Sequence, residues 1–147
     1  MSIIEILKSA TDTAGFKGLS FANLQEFNGF LDSFNFQDYP RNVIVPYQIN
    51  GTLLNNRFKK VIPLQGWALV RIPEDTNDWR SINLEVDHIQ PMRVKVEKFI
   101  KEIINSDVTD AEVENVTYTI RPEYMFLKAH LFGVSYTINW PIASKYC

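Results

Sequence analysis

Apolar residues recur at helical spacing near the start of the chain, where Ile3, Leu7, Ala10 and Ala14 share one face. Ser2 followed by Glu5 has the form of a capping box, and Gly15 is a plausible stop. The pattern therefore predicts a helix over residues 2–14. Leu24, Phe27, Leu31 and Phe34 repeat the period and predict a second helix from about Ser20 to Phe34, although Gly29 weakens its middle. After the break at Asp38-Tyr39-Pro40 the period changes to two. RNVIVPYQIN alternates through Val43, Val45, Tyr47 and Ile49, and Pro46 marks an edge strand or a bulge. Asn50-Gly51 and Asn55-Asn56 are turn chemistry and predict a hairpin with a long tip, returning from about Phe58 to Ile72.

The loop PEDTNDWRS (73–81) precedes a short alternation through Ile82, Leu84 and Val86. Pro91 then opens a helix to about Asn105, with Met92, Val96, Phe99, Ile100 and Ile103 as its buried stripe and Glu97–Lys101 as a favourable pair on the solvent side. Beyond the polar link SDVTDAEVEN, a second hairpin is expected: VTYTI as one arm, RPEY as the turn, and MFLKAHLFGVSYTINW as the other arm. In that arm the apolar phase flips from odd (Met125, Leu127, Ala129, Leu131) to even (Val134, Tyr136, Ile138, Trp140). The flip predicts a glycine bulge at Phe132-Gly133.

This order of elements predicts an α+β fold, an antiparallel sheet built from two long hairpins with helices packed on one face. One domain spans 1–147, with an N-terminal helical segment at about 2–34 and a hairpin–helix–hairpin core at about 39–142. The strand VIPLQGWALVRI raises a problem, because both of its alternating sets are apolar. Ile62, Leu64, Ala68, Val70 and Ile72 form one; Val61, Pro63, Trp67 and Leu69 lie in the other, broken by Gln65 and Arg71. A surface strand shows water a polar face. Either a helix of the same chain covers Trp67 and Leu69, or a partner does.

Composition narrows the function classes. Hydrophobic residues are 46% and charged residues 22% of 147, a globular balance at a length that buries a core without cross-links. The net charge of −2 offers no broad basic field, which argues against nucleic-acid binding as the main activity. A single cysteine, Cys147, cannot form a disulfide within the chain. The start, MSIIEILKSATD, has Glu5 and too short an apolar run for a signal peptide or a membrane span, and the sequons at Asn50 and Asn115 are read as chance.

Catalytic sets are not evident. His88 and His130 are isolated from each other, and Cys147 is at a terminus. Glu74, Asp75 and Asp78 form the densest carboxylate cluster, but Trp79 falls where a calcium loop needs an oxygen and no glycine follows. Phosphate-binding glycine motifs and C-x-x-C pairs do not occur, so no cofactor and no enzyme are expected. Lys59, Lys60, Arg93, Lys95, Lys98 and Lys101 read as solvated charge.

The element order, and the stretches YPRNVIVPYQINGT, IPLQGWALVRIPEDTNDWRS and RPEYMFLKAHLFGVSYTINWPI, resemble the tail terminator and tail completion proteins of tailed bacteriophages. The resemblance covers most of the chain from about Tyr39; residues 16–38 fit it least. It implies a virion protein of the neck or tail, made in the host cytoplasm and without catalytic residues. Such a protein forms a homo-oligomeric ring of six or twelve copies at the head–tail junction. The ring stacks on connector, ring or tail proteins, and DNA passes through its lumen without specific binding; no membrane is involved. Under this reading Trp67, Leu69, Arg71, Trp79, Arg80 and Trp140 are the expected subunit contacts, aromatics and Arg being enriched in buried interface centres. Glu74, Asp75 and Asp78 would face the lumen, where like charge keeps DNA sliding, or the next ring. Two other classes compete: a small-ligand or protein-binding α+β module without catalysis, and an enzyme using Glu123 and His130.

Overall fold

The computed structural model describes residues 2–22, 38–71, 85–111, 115–126 and 131–143. Helix α1 runs Ile3–Thr13, and the Glu5 N–H donates to the Ser2 hydroxyl at 3.2 Å, satisfying one of the free donors of the first turn. Ile6, Leu7, Ala10 and Thr11 are its buried face. Gly15 ends the helix at φ +94°, a conformation natural to glycine, and Lys95 Nζ donates to its carbonyl at 3.3 Å. That cation comes from helix α2, Gln90–Ile104, whose buried residues are Met92, Val96, Phe99, Ile100 and Ile103, as the stripe predicts. Each such burial contributes about 1.5–3 kcal/mol. A π-helical turn, Glu85–Ile89, leads into α2, so Val86 lies in that turn, exposed, and not in a short strand.

Six described strands form one sheet: β1 (Gly18–Phe21), β2 (Arg41–Ile44), β3 (Asn50–Leu54), β4 (Arg57–Arg71), β5 (Tyr118–Phe126) and β6 (Leu131–Ile142). Their order is β1-β2-β4-β6-β5, with β3 also on β4. The fold is α+β, but the sheet is mixed and not the antiparallel one expected, because β1 runs parallel to β2. The same finding corrects the start of the expected second helix: Ser20 and Phe21 are in β1. The rest of that expectation, residues 23–37, lies outside the described residues. A parallel pair needs a long connection, which residues 22–40 supply in length.

β4 and β6 are the spine of the sheet, paired from Lys60↔Ile142 to Arg71↔Leu131. The even-numbered residues of β6 from Phe132 to Ile142 are all buried. They join Ile62, Leu64 and Ala68 of β4 and the buried apolar residues of both helices in one cluster. Phe99 of α2 tilts against Tyr136 of β6 with centroids 5.8 Å apart.

The first hairpin returns through two residues, Asn55 and Asn56, at φ 54° and 62°. The tip is therefore tight and not long; asparagine tolerates the left-handed backbone that a type I′ turn demands twice. Upstream, residues 45–49 face only 62–65 between the β2 and β3 pairings, so one extra residue sits beside Pro46. Pro46 thus falls in the unpaired link between β2 and β3, where its missing N–H costs no ladder bond.

The second hairpin differs from expectation. Arg121, Pro122, Glu123 and Tyr124 lie within β5, not in a turn. The proline sits there because β5 is the edge strand, where a missing N–H costs no ladder bond. Of the odd set, Met125 is in β5 and Leu131 is in β6 with the even set, while Leu127 and Ala129 lie outside the described residues. The irregularity is on β5, between Glu123 and Phe126, opposite Gly133 and Leu131. Gly133 serves a different need: a Cβ there would overlap the Ala68 carbonyl oxygen of β4.

Candidate functional site

Trp67 is 5% exposed, and Leu69 and Trp140 are 0% exposed in the single chain. These three pack the interior of the single chain and have little or no surface left for the subunit contacts expected of them. Trp67 and Leu69 lie on the face of β4 away from the main cluster, with Val43 of β2 opposite Trp67 and also buried. The chain itself covers the second apolar face at this end of the strand. Trp140 is on the other face; its Nε1–H donates to the Thr109 hydroxyl at 2.7 Å, which donates to the Ile103 carbonyl at 2.6 Å. Trp140 thereby ties β6 to the last turn of α2. Arg71 is half-buried at the end of β4. Trp79, Arg80, Glu74, Asp75 and Asp78 lie outside the described residues.

Among the described residues a buried polar row joins elements that no local sequence pattern links. Tyr136 Oη donates to Asn42 Oδ1 at 2.6 Å, Asn42 Nδ2 donates to Thr11 Oγ1 at 3.1 Å, and Thr11 Oγ1 donates to the Leu7 carbonyl at 2.7 Å. All three side chains are buried. Gly66 makes room for it, since a Cβ there would stand 2.6 Å from both Tyr136 Oη and the Val43 carbonyl. Burial pushes the Tyr136 phenol far above its ordinary range, and the bond to Asn42 opposes the shift only in part. The row joins β6, β2 and α1, and none of its three residues is more than 1% exposed. Among the described residues every buried side-chain polar atom has a partner. Its chemistry is therefore cohesive: a satisfied polar network specifies one packing of three elements.

Three features of the described surface bear on function. On the outer face of the sheet, Gln65, Thr119, Arg121, Ser135 and Thr137 line a shallow depression of 290 Å³. Ser135 Oγ donates to Glu123 Oε1 at 3.1 Å beside it, and His130, the other half of the imagined acid–base pair, lies outside the described residues. A second, more apolar groove of similar volume lies between α2 and the start of β5. Ile100, Ile104, Val116 and Tyr118 line it with Glu97, Lys101 and Asn105. Tyr118 Oη donates to Glu97 Oε2 at 3.1 Å, and that bond to a carboxylate raises the phenol's pKa.

The third feature is the end of the first hairpin. β6 reaches only to Lys60 of β4, so the ribbon of residues 51–59 continues past the body of the sheet as two strands. Leu53 and Phe58 are paired across it and are each 59% exposed. Cross-strand partners share a face, and Lys60 Nζ lies 5.4 Å from the Phe58 ring centroid on that side. Arg57, Lys59 and Lys60 make the ribbon basic, and no acidic residue occurs between Tyr39 and Pro73. The signal was in the sequence: a large apolar residue on each side of a turn dipeptide, in a run without acids.

Among the described residues no group of three or more His, Cys, Asp or Glu converges as a metal site needs, and no helix is long and apolar enough to cross a membrane. No protein-family model matches the chain, and neither the curated proteins nor the solved structures contain a match to it.

Proposed function

We propose that the chain is a structural subunit that acts by assembly, forming a ring at the head–tail junction or tail end of a tailed bacteriophage and leaving a passage for DNA. In this reading the helices back one face of the two-hairpin sheet, and the projecting ribbon and the sheet edges make the contacts. The observation that carries it is the ribbon itself. A two-stranded arm standing beyond its sheet is marginal alone, yet this one exposes a large apolar pair. Such pairs are characteristic of contact surfaces.

Negative-stain imaging of the purified chain, with molar mass from light scattering over a wide concentration range, tests the proposal. Closed rings of uniform size support it. A monomer at every concentration, and also in the presence of tail or connector particles, would overturn it. The depression on the outer sheet face favours a second reading, a binding module for a small polar ligand. Its hydroxyl, amide and guanidinium groups converge there. Ligand-dependent thermal shifts that a Thr137→Val variant loses would support that module.

A further inference from the structure

We infer that the β3–β4 ribbon of one copy seats on the groove between α2 and β5 of a second copy, so that assembly runs head to tail. The inference rests on the ring reading and names the contact that would build it.

The ribbon offers an apolar pair, Leu53 and Phe58, flanked by Arg57, Lys59 and Lys60. The whole chain carries −2, so with these three cations set aside the remainder carries −5. A basic projection on an otherwise acidic body is complementary to another copy of that body, and steers approach by that end. The groove supplies the apolar half of the match. Ile100, Ile104 and Val116 form its wall; Glu97, bonded by Tyr118, and Lys101 sit at its rim, so the groove itself is neutral and the attraction comes from the acidic body as a whole.

The topology keeps arm and groove from meeting in one molecule. The ribbon's β3 lies on the β2 side of β4, whereas β5 lies on the far side of β6. Two different patches at opposite sides of a subunit make a heterologous contact, the kind that closes into rings or extends into tubes. Phe58 is the anchor: a large exposed aromatic entering an apolar slot, with Lys60 on its own face of the ribbon and the Glu97 carboxylate at the rim of the groove.

The experiment uses the full chain and two single variants, Phe58→Asp on the arm and Ile104→Asp on the groove, followed by sedimentation velocity. Each alone weakens self-association by about tenfold or more. Mixed, they recover one intact arm–groove pair and form a complex that stops at two copies. Lys59→Glu lowers the association rate and flattens its salt dependence, without a change in thermal unfolding.

If the wild type assembles and Phe58→Asp assembles equally well, the arm contact is wrong while the ring reading stands. If mixing gives no two-copy complex, head-to-tail seating is wrong. If arm and groove pair but the product is never a closed ring, the contact holds and the ring reading falls. A wild type that stays monomeric yet binds duplex DNA through Phe58 and Lys59 would overturn the proposal in favour of nucleic acid as the occupant.

Discussion

Replacing Tyr136 by phenylalanine removes one oxygen from the centre of the fold and tests the account of what holds it. The hydroxyl donates to Asn42 Oδ1 at 2.6 Å, and Asn42 is 0% exposed. Without the donor, that amide oxygen is buried with its bond unmade. The cost is the desolvation penalty of the orphaned acceptor, about 1–3 kcal/mol, and not the smaller net worth of an average hydrogen bond. Ring packing on Phe99 is retained, and the lost oxygen leaves a void too small to add much. A loss near 2 kcal/mol lowers Tm by about 4–8 °C at this chain length. Thermal and urea unfolding followed by tryptophan fluorescence read the change. A double-mutant cycle with Asn42→Ala isolates the pairing, with a coupling on the order of 0.5–3 kcal/mol expected. A Tm within 1 °C of wild type for Tyr136→Phe, or zero coupling to Asn42, would refute the polar row as a determinant of stability. Assembly of the folded fraction should be unaffected, since the row has no surface.

Three further outcomes are expected. Tyr136 is held protonated when folded, with its pKa raised above the ordinary value of 10.0. An unfolded chain releases that proton above about pH 10 and the folded one does not, so the contribution is complete below pH 10 and is lost as pH rises. Tm against pH should bend downward above pH 10, and less so in Tyr136→Phe. Gly133→Ala would drive a Cβ into the Ala68 carbonyl across the β4–β6 pairing; more than about 3 kcal/mol of destabilisation, or failure to accumulate as soluble protein, is expected in urea titration and expression. Trp67→Ala should destabilise the isolated chain by about 3–5 kcal/mol; an unchanged unfolding midpoint with weakened assembly would restore Trp67 as a contact.

Helix α2 was legible almost residue by residue, because a first-turn proline and a stripe at helical spacing are local properties and its packing obeys them. Helix α1 was equally legible from Ser2 and Gly15. The candidate surface was not. Trp67 and Leu69 sit on a strand with two apolar faces and Trp140 is a large aromatic, features that suggest an outside partner, whereas all three are buried in the single chain. Leu53 and Phe58 passed as ordinary hairpin residues. Their exposure depends on where β6 stops, which no local pattern states.

Periodicity and turn chemistry thus determined by themselves helices α1 and α2 and the long alternating strands, since each side chain's helical or extended preference acts over a few residues. Only the tertiary structure decided that β1 joins in parallel, that Pro122 lies in an edge strand and not a turn, and that Tyr136, Asn42 and Thr11 meet. Those outcomes depend on pairing between residues tens of positions apart, where the free energy comes from shared burial and completed hydrogen bonds. That free energy exists only once the partners are in place.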